Sequence, residues 1–184
     1  MDWFLSLFNI ILVLVFYEGF HGILYYKSRE VKKEGRISVR VLDINEENAV
    51  TLNSIFFRNT IVFLSNKISE EVLRHEEGHT KQFNYIYVFL IVVAVLLPLS
   101  DFIAIPAVLL GKFLLWKMER DADLYAYTIY NIRYMSNAQR PRSRIERLKG
   151  WVFDSHPPDW VRGEKEYYEK KIGLIRLLLK DLFS

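Results

Sequence analysis

Apolar and polar positions fall into blocks along this chain rather than into one mixed pattern. Residues 3–17 and 85–116 are almost free of charge, whereas 27–48, 66–82 and 117–170 carry nearly all of it. The first block, "WFLSLFNIILVLVFYEGFHGILYY", is apolar from Trp3 to Tyr17 and continues with polar interruptions to Tyr26. That length predicts a membrane helix, which takes about 20 residues. The charged start is Asp2 rather than Lys or Arg, and no small-residue cleavage site follows, which argues against a signal peptide. Lys27, Arg29, Lys32, Lys33 and Arg36 come directly after it. By the positive-inside tendency that end is cytoplasmic and the N-terminus lies outside.

Beyond the basic segment, "RISVRVLDI" and "NTIVFLS" alternate and are rich in β-branched residues, with "AVTLNSIFF" between them. These predict a small antiparallel sheet of two or three strands. Ser69, followed by Glu70 and Glu71, marks a helix start: a capping side chain, then acids at the positive end of the helix dipole. Residues 85–99 and 102–116 are two apolar runs split by "PLSD". Each is about 15 residues, roughly 22 Å as helix, short for a bilayer. Two buried core helices or a re-entrant hairpin are alternatives to two membrane spans. The short linker and the closing topology favour the spans, because out-to-in, in-to-out and out-to-in leaves every basic segment on one side. From 117 the chain reads as helix to about Tyr130, a basic loop, a short helix ending near Gly150, "SHPPDW", and a last helix from Glu164.

At 184 residues the chain has the length of one domain, and 51% apolar beside 26% charged residues fits a membrane protein with a water-exposed part. There are no cysteines, which excludes disulfides, zinc fingers and a thiol nucleophile. A net charge of +3 is too small to argue for nucleic acid, and no interleaved aromatic and basic pattern supports such a partner.

Against this background, "VLRHEEGHTKQF" at 72–83 stands out. His75 and His79 are one helical turn apart, so their rings project together. At about 100° per residue, Val72, His75, His79 and Phe83 share the inward stripe, with Glu76 at its edge. H-E-x-x-H on a helix is the zinc-peptidase pattern, in which the imidazoles bind Zn²⁺ and the glutamate acts as general base. Two histidines on an amphipathic helix without metal is the plainer reading of this motif alone. A catalytic zinc takes three protein ligands, and "LLWKMERDADLYA" supplies a candidate in Glu119. Glu119 shares a face with Leu115, Ala122 and Ala126, and the two alanines permit close approach of another helix. Asp123 lies one turn further, and two carboxylates at i, i+4 repel unless a cation joins them. A solvated charge in "ERDAD" is the plainer reading of Glu119. Gly78 gives either room for close packing or a functional bend. From His79 to Tyr85 and from Trp116 to Glu119 the helices are short, which puts the metal within one or two turns of the bilayer surface.

"HEEGH", then "ERDAD" forty residues later, then "SHPPDWVR", resembles the HtpX-like and CAAX prenyl endopeptidase group of membrane zinc metalloproteases, of gluzincin type. The family pattern is H-E-x-x-H, E-x-x-x-D and H-P-P with an arginine shortly after, and the likeness spans about residues 37 to 165. It implies an α+β, mainly helical zincin-like membrane domain at 27–184 with a hairpin inserted at 85–116, behind an N-terminal transmembrane helix at 1–26. It implies one Zn²⁺ held by His75, His79 and Glu119, with Glu76 as base and Asp123 orienting a ligand imidazole. It makes His156 and Arg162 the oxyanion pair, and Asn48 and Ala49 the start of an edge strand that holds an extended polypeptide substrate. The chain is smaller than typical members and has one N-terminal membrane helix where they have two, which implies a more open site.

The expectation is therefore a multi-pass cell-membrane zinc endopeptidase with its site on the cytoplasmic side. A zinc-binding membrane sensor without peptidase activity, and a metal-free membrane interaction protein, are the rivals. Glu18 and His21 form a further polar pair near the inner end of the first helix. "GLIRLLLKDLF" is basic and amphipathic, suited either to the bilayer surface or to packing on the domain. The arginines at 133, 140, 142, 144 and 147 suit anionic headgroups or a solvated face.

Overall fold

A computed structural model describes residues 3–96 and 101–184. Helix α1 (Trp3–Lys27) leads into a hairpin of β1 (Arg29–Glu34) and β2 (Ile37–Val41), turned at Gly35, whose φ of +58° glycine adopts without strain. β3 (Ala49–Leu52) and β4 (Thr60–Phe63) follow, and the strand order is β1-β2-β4-β3. The expected small antiparallel sheet is thus a four-stranded mixed one. β1–β2 and β3–β4 are antiparallel, but β4 enters between β2 and β3 and runs parallel to β2. β1 escapes a pattern search because REVKKE is charged and exposed almost throughout. β4 is buried at every residue, as a central strand must be. This order leaves β3 on an edge.

One face of the sheet, built from Val39, Val41, Ile61 and Phe63, packs on Leu73 and Val72 of α2 (Glu70–Thr80). Ser69 occupies the position before α2 as expected, but its side chain makes no capping hydrogen bond. The helix ends at Thr80, so Phe83 falls outside the inward stripe and is exposed. After α3 (Tyr85–Leu96) and a 3₁₀ turn at Asp101–Ile103 comes the long α4 (Ala104–Tyr130). The hairpin tip at 97–100 lies outside the described residues.

Close packing, not a bend, explains Gly78. A Cβ there would lie 2.7 Å from Ala122 Cα and 2.9 Å from its carbonyl oxygen, so α2 and α4 touch backbone to backbone. α1 lies along α3, and α3 along the first half of α4, where Phe89 fills the space over Gly111. The outward apolar side chains of these three segments, such as Phe8, Val88 and Leu109, are exposed. Among the described residues, α1 is the one helix long and apolar enough to cross a membrane on its own; by length and composition it suits a span or a signal sequence. α3, described to Leu96, continues α2 across a bend of 55°, so the described residues offer one span, or two if that bent pair counts as one, beside the three expected.

Glu18 accepts hydrogen bonds from Ser54 Oγ at 2.6 Å and the Ile55 N–H at 3.0 Å, and His21 Nδ1 donates to the Tyr17 carbonyl at 2.7 Å. Glu18 thus fastens α1 to the loop after β3, while His21 bonds within its own helix. The tail forms α5 (Arg144–Phe153), α6 (Asp159–Arg162) and α7 (Leu174–Phe183) around buried Trp151 and Tyr167. The helix expected from Glu164 is a 3₁₀ turn at Lys165–Tyr168, and α7 begins only after Gly173.

Candidate metal centre

α2 and α4, held together at Gly78 and Ala122, bring three donors to one point. His75 Nε2 and His79 Nε2 are 3.1 Å apart, and Glu119 places one carboxylate oxygen 3.3 Å from the first and the other 3.4 Å from the second. His75, Glu76 and His79 by themselves form a group able to hold a metal ion, with ligand atoms all within 4.8 Å of one another.

The far side of each ring is also occupied. His75 Nδ1 donates to Asp123 Oδ1 at 2.8 Å, and His79 Nδ1 donates to Gln82 Oε1 at 3.1 Å. Gln82 is oriented in turn, because its Nε2 donates to the Met118 carbonyl at 2.6 Å. With both Nδ1 atoms donating, a neutral ring presents its Nε2 lone pair inward. Two lone pairs and a carboxylate at these separations repel unless a proton or a cation sits among them. The titration behaviour follows from this. Burial opposes a charged His75 ring, but the Asp123 and Glu119 carboxylates outweigh it and hold its pKa up at about 10. Burial likewise opposes ionisation of Glu119, yet the two imidazoles hold its carboxyl well below the usual range.

Asp123 anchors the assembly. Besides His75 it accepts from Arg162 Nε at 2.9 Å, Arg162 Nη2 at 2.8 Å and the Tyr167 hydroxyl at 2.9 Å. Burial works against its charge, but His75 and Arg162 prevail and set its pKa at about 2. Glu76 is buried, and the Thr51 hydroxyl lies 2.7 Å from its Oε2, so β3 fixes one oxygen of the carboxylate.

These groups border a cavity of about 380 Å³. Asn48, Ala49, His75, Glu76, Glu119, Asp123, His156 and Arg162 line it; His79 lies behind them. Asn48 and Ala49 sit at the start of edge strand β3, with Asn48 Oδ1 accepting from the Ala49 N–H at 2.8 Å. His156 Nδ1 donates to the Pro157 carbonyl at 3.0 Å. Arg162 is committed more deeply than its motif suggests: two of its nitrogens hold Asp123, its guanidinium carbon lies 3.8 Å from the Tyr134 ring centroid, and Nη1 is 3.8 Å from Asp159 Oδ1.

Gln82, Thr51 and Tyr167 are the site residues that the motifs omit. Gln82 was discoverable, since it lies three residues beyond His79 at helical spacing. Thr51 and Tyr167 reach the site only through the fold, from 25 and 44 residues away in sequence. Comparison with protein-family models, with curated proteins and with solved structures finds no match to this chain.

Proposed function

We propose that this chain is an integral membrane zinc endopeptidase of the HtpX-like type, hydrolysing peptide bonds of membrane or misfolded proteins close to the bilayer. One observation carries the reading. Three donors from two helices, forty residues apart in sequence, stand 3.1 to 3.4 Å from one another beside a buried glutamate. A tetrahedral ion with bonds of about 2.0–2.1 Å sets its ligand atoms roughly 3.3–3.4 Å apart, so the spacing suits zinc. The donor set, two imidazoles and one carboxylate, is that of peptidase zinc sites, and both rings have the outer partners that fix tautomer and raise basicity.

His75, His79 and Glu119 would hold the ion. When bound, zinc acidifies a water and polarises the substrate carbonyl. Glu76, with Oε2 held by Thr51, has Oε1 to take the water's proton and pass it to the leaving amine. His156 and Arg162 border the cavity, where they would steady the oxyanion. Edge strand β3 receives an extended polypeptide by strand addition, with Asn48 and Ala49 at the cavity end. The exposed apolar surfaces of α1, α3 and the first half of α4 support three membrane segments. The cations from Lys27 to Arg36 favour a cytoplasmic site by the positive-inside tendency.

Glu76→Gln tests this. The variant should keep about one zinc per chain and lose 10²–10⁴-fold in cleavage of an unfolded membrane-protein substrate. Equal cleavage by the variant removes Glu76 from its role. Zinc retained by a wild-type chain that cleaves nothing leaves the sensor reading instead.

A further inference from the structure

We infer that α5 and α7 form a second membrane surface, an apolar double stripe with a basic rim that lies in the interface of an anionic bilayer beside the apolar bundle. The inference rests on the membrane reading of that bundle.

α5 turns Arg147 and Trp151 inward, yet its opposite side is also apolar. Ile145, Leu148 and Val152, at i, i+3 and i+7, are exposed, and Phe153 beside them is 78% exposed. A helix facing water would carry polar side chains there. α7 repeats the arrangement: Leu174, Leu177 and Asp181 face inward, while Ile175, Leu179 and Phe183, at i, i+4 and i+8, are exposed. The stripes adjoin, since the Arg144 guanidinium lies 5.7 Å from the Phe183 ring and Arg147 Nη1 donates to the Ser184 carbonyl at 3.3 Å.

The other end of α5 meets α4 where its apolar half ends. Lys112 donates to the Asp154 carbonyl, and the Trp116 and Trp151 rings are 5.0 Å apart. α5 is thus joined to α4 just beyond the exposed apolar stretch around Ile105 and Leu109. Charge complements this placement. Arg142, Arg144, Lys149 and Arg176 are exposed and form no ion pair among the described residues, whereas Lys180 and Arg140 are bound to Glu166 and Asp181. Glu146 is the single acid on α5. Ser155 and His156, just after α5, line the site cavity, so the lipid surface would run along that wall.

The chain has no cysteine, so one introduced cysteine carries a unique spin label. Leu148→Cys and Leu179→Cys report on the stripes, Phe8→Cys on α1, and Lys171→Cys on the water-facing side. The full chain is reconstituted in phosphatidylcholine vesicles with and without phosphatidylglycerol. Labels at 148 and 179 should collide with oxygen rather than with an aqueous nickel chelate, at a depth of about 5–10 Å. They should do so more strongly with the anionic lipid, while the label at 8 lies deeper and that at 171 in water. Water-exposed labels at 148 and 179 above a buried label at 8 overturn the inference and leave the membrane reading intact. A water-exposed label at 8 removes both. Label–label broadening that vanishes on dilution with unlabelled chain gives the face to a second copy and also overturns it.

Discussion

The two halves of α4 obey opposite rules. From Ala104 to Trp116 its outward side chains are apolar and exposed, Leu109 at 65% among them. Beyond Lys117 it turns charged side chains inward: Asp123 is 4% exposed, and buried Arg120 donates to the Tyr167 and Glu169 carbonyls at 3.0 Å each. On the proposed reading the two patterns answer two surroundings: a bilayer around the first half, and a cation among carboxylate and imidazole beside the second.

The hardest blow to the second half is Asp123→Asn. The amide keeps the shape but leaves the buried Arg162 guanidinium without its carboxylate, a loss of about 3–5 kcal/mol of stability. The same change releases the His75 ring, and zinc affinity should fall a further 10–100-fold. Denaturant unfolding and chelator competition measure the two losses. Unchanged stability would mean that the inward charges of α4 are not mutually compensated.

For the first half the matching change is Leu109→Arg, midway along the exposed apolar run. A lipid-facing position there should disfavour insertion by about 2.5–3.5 kcal/mol, lowering the membrane-integrated fraction of the chain. In water the same exposed substitution would shift stability by no more than about 0.5 kcal/mol. An unaltered membrane fraction would place this half in water and break the contrast.

How much of this arrangement the residues disclose differs between the halves. His75 with His79 and Glu119 with Asp123 stood out by helical spacing within each motif, and the fold brings these four side chains together. The closeness of α2 to α4 was half legible: Ala122 and Gly78 announced small residues, but only their juxtaposition shows which faces which. The sheet was misread at β1, where exposed charge masks a strand, and at β4, whose parallel partner is set by chain path rather than by composition. Tyr167 and Thr51 could not be found, since no periodicity links residues that meet only after α4, α5 and the sheet have closed. The exposed stripe on α5 was hidden for another reason. In RIERLKGWVF the charges of Arg144, Glu146, Arg147 and Lys149 are interleaved with the apolar residues, and only the fold shows which face is buried.

Gly78→Ala probes the contact that joins the halves' neighbours. The new methyl would meet Ala122 backbone at 2.7 Å, so the helices must part. The overpacking should cost about 1–3 kcal/mol, against which alanine's better helix propensity returns about 1 kcal/mol. Zinc should bind more weakly, because His75 and His79 move away from Glu119 with the separating helix. A variant as stable and as zinc-competent as wild type would show that α2 and α4 need not touch here.

The gentlest probe is pH. In the metal-free chain the donors satisfy one another by keeping a proton, which is why His75 titrates at about 10 instead of its ordinary 6.5, the pull of Asp123 and Glu119 exceeding the opposing effect of burial. Zinc must expel that proton, so affinity should rise with pH, about tenfold per unit for each proton released below pH 10. The metal-free fold behaves in the opposite sense. A raised His75 stabilises it fully below pH 6.5, and that contribution is lost as pH climbs through about 10. Chelator competition at two pH values one unit apart should thus show tighter zinc at the higher, while thermal unfolding of the zinc-free chain shifts downward. If neither quantity moves with pH, no proton occupies the space between the rings and Glu119, and the inward half of α4 holds no place for a cation.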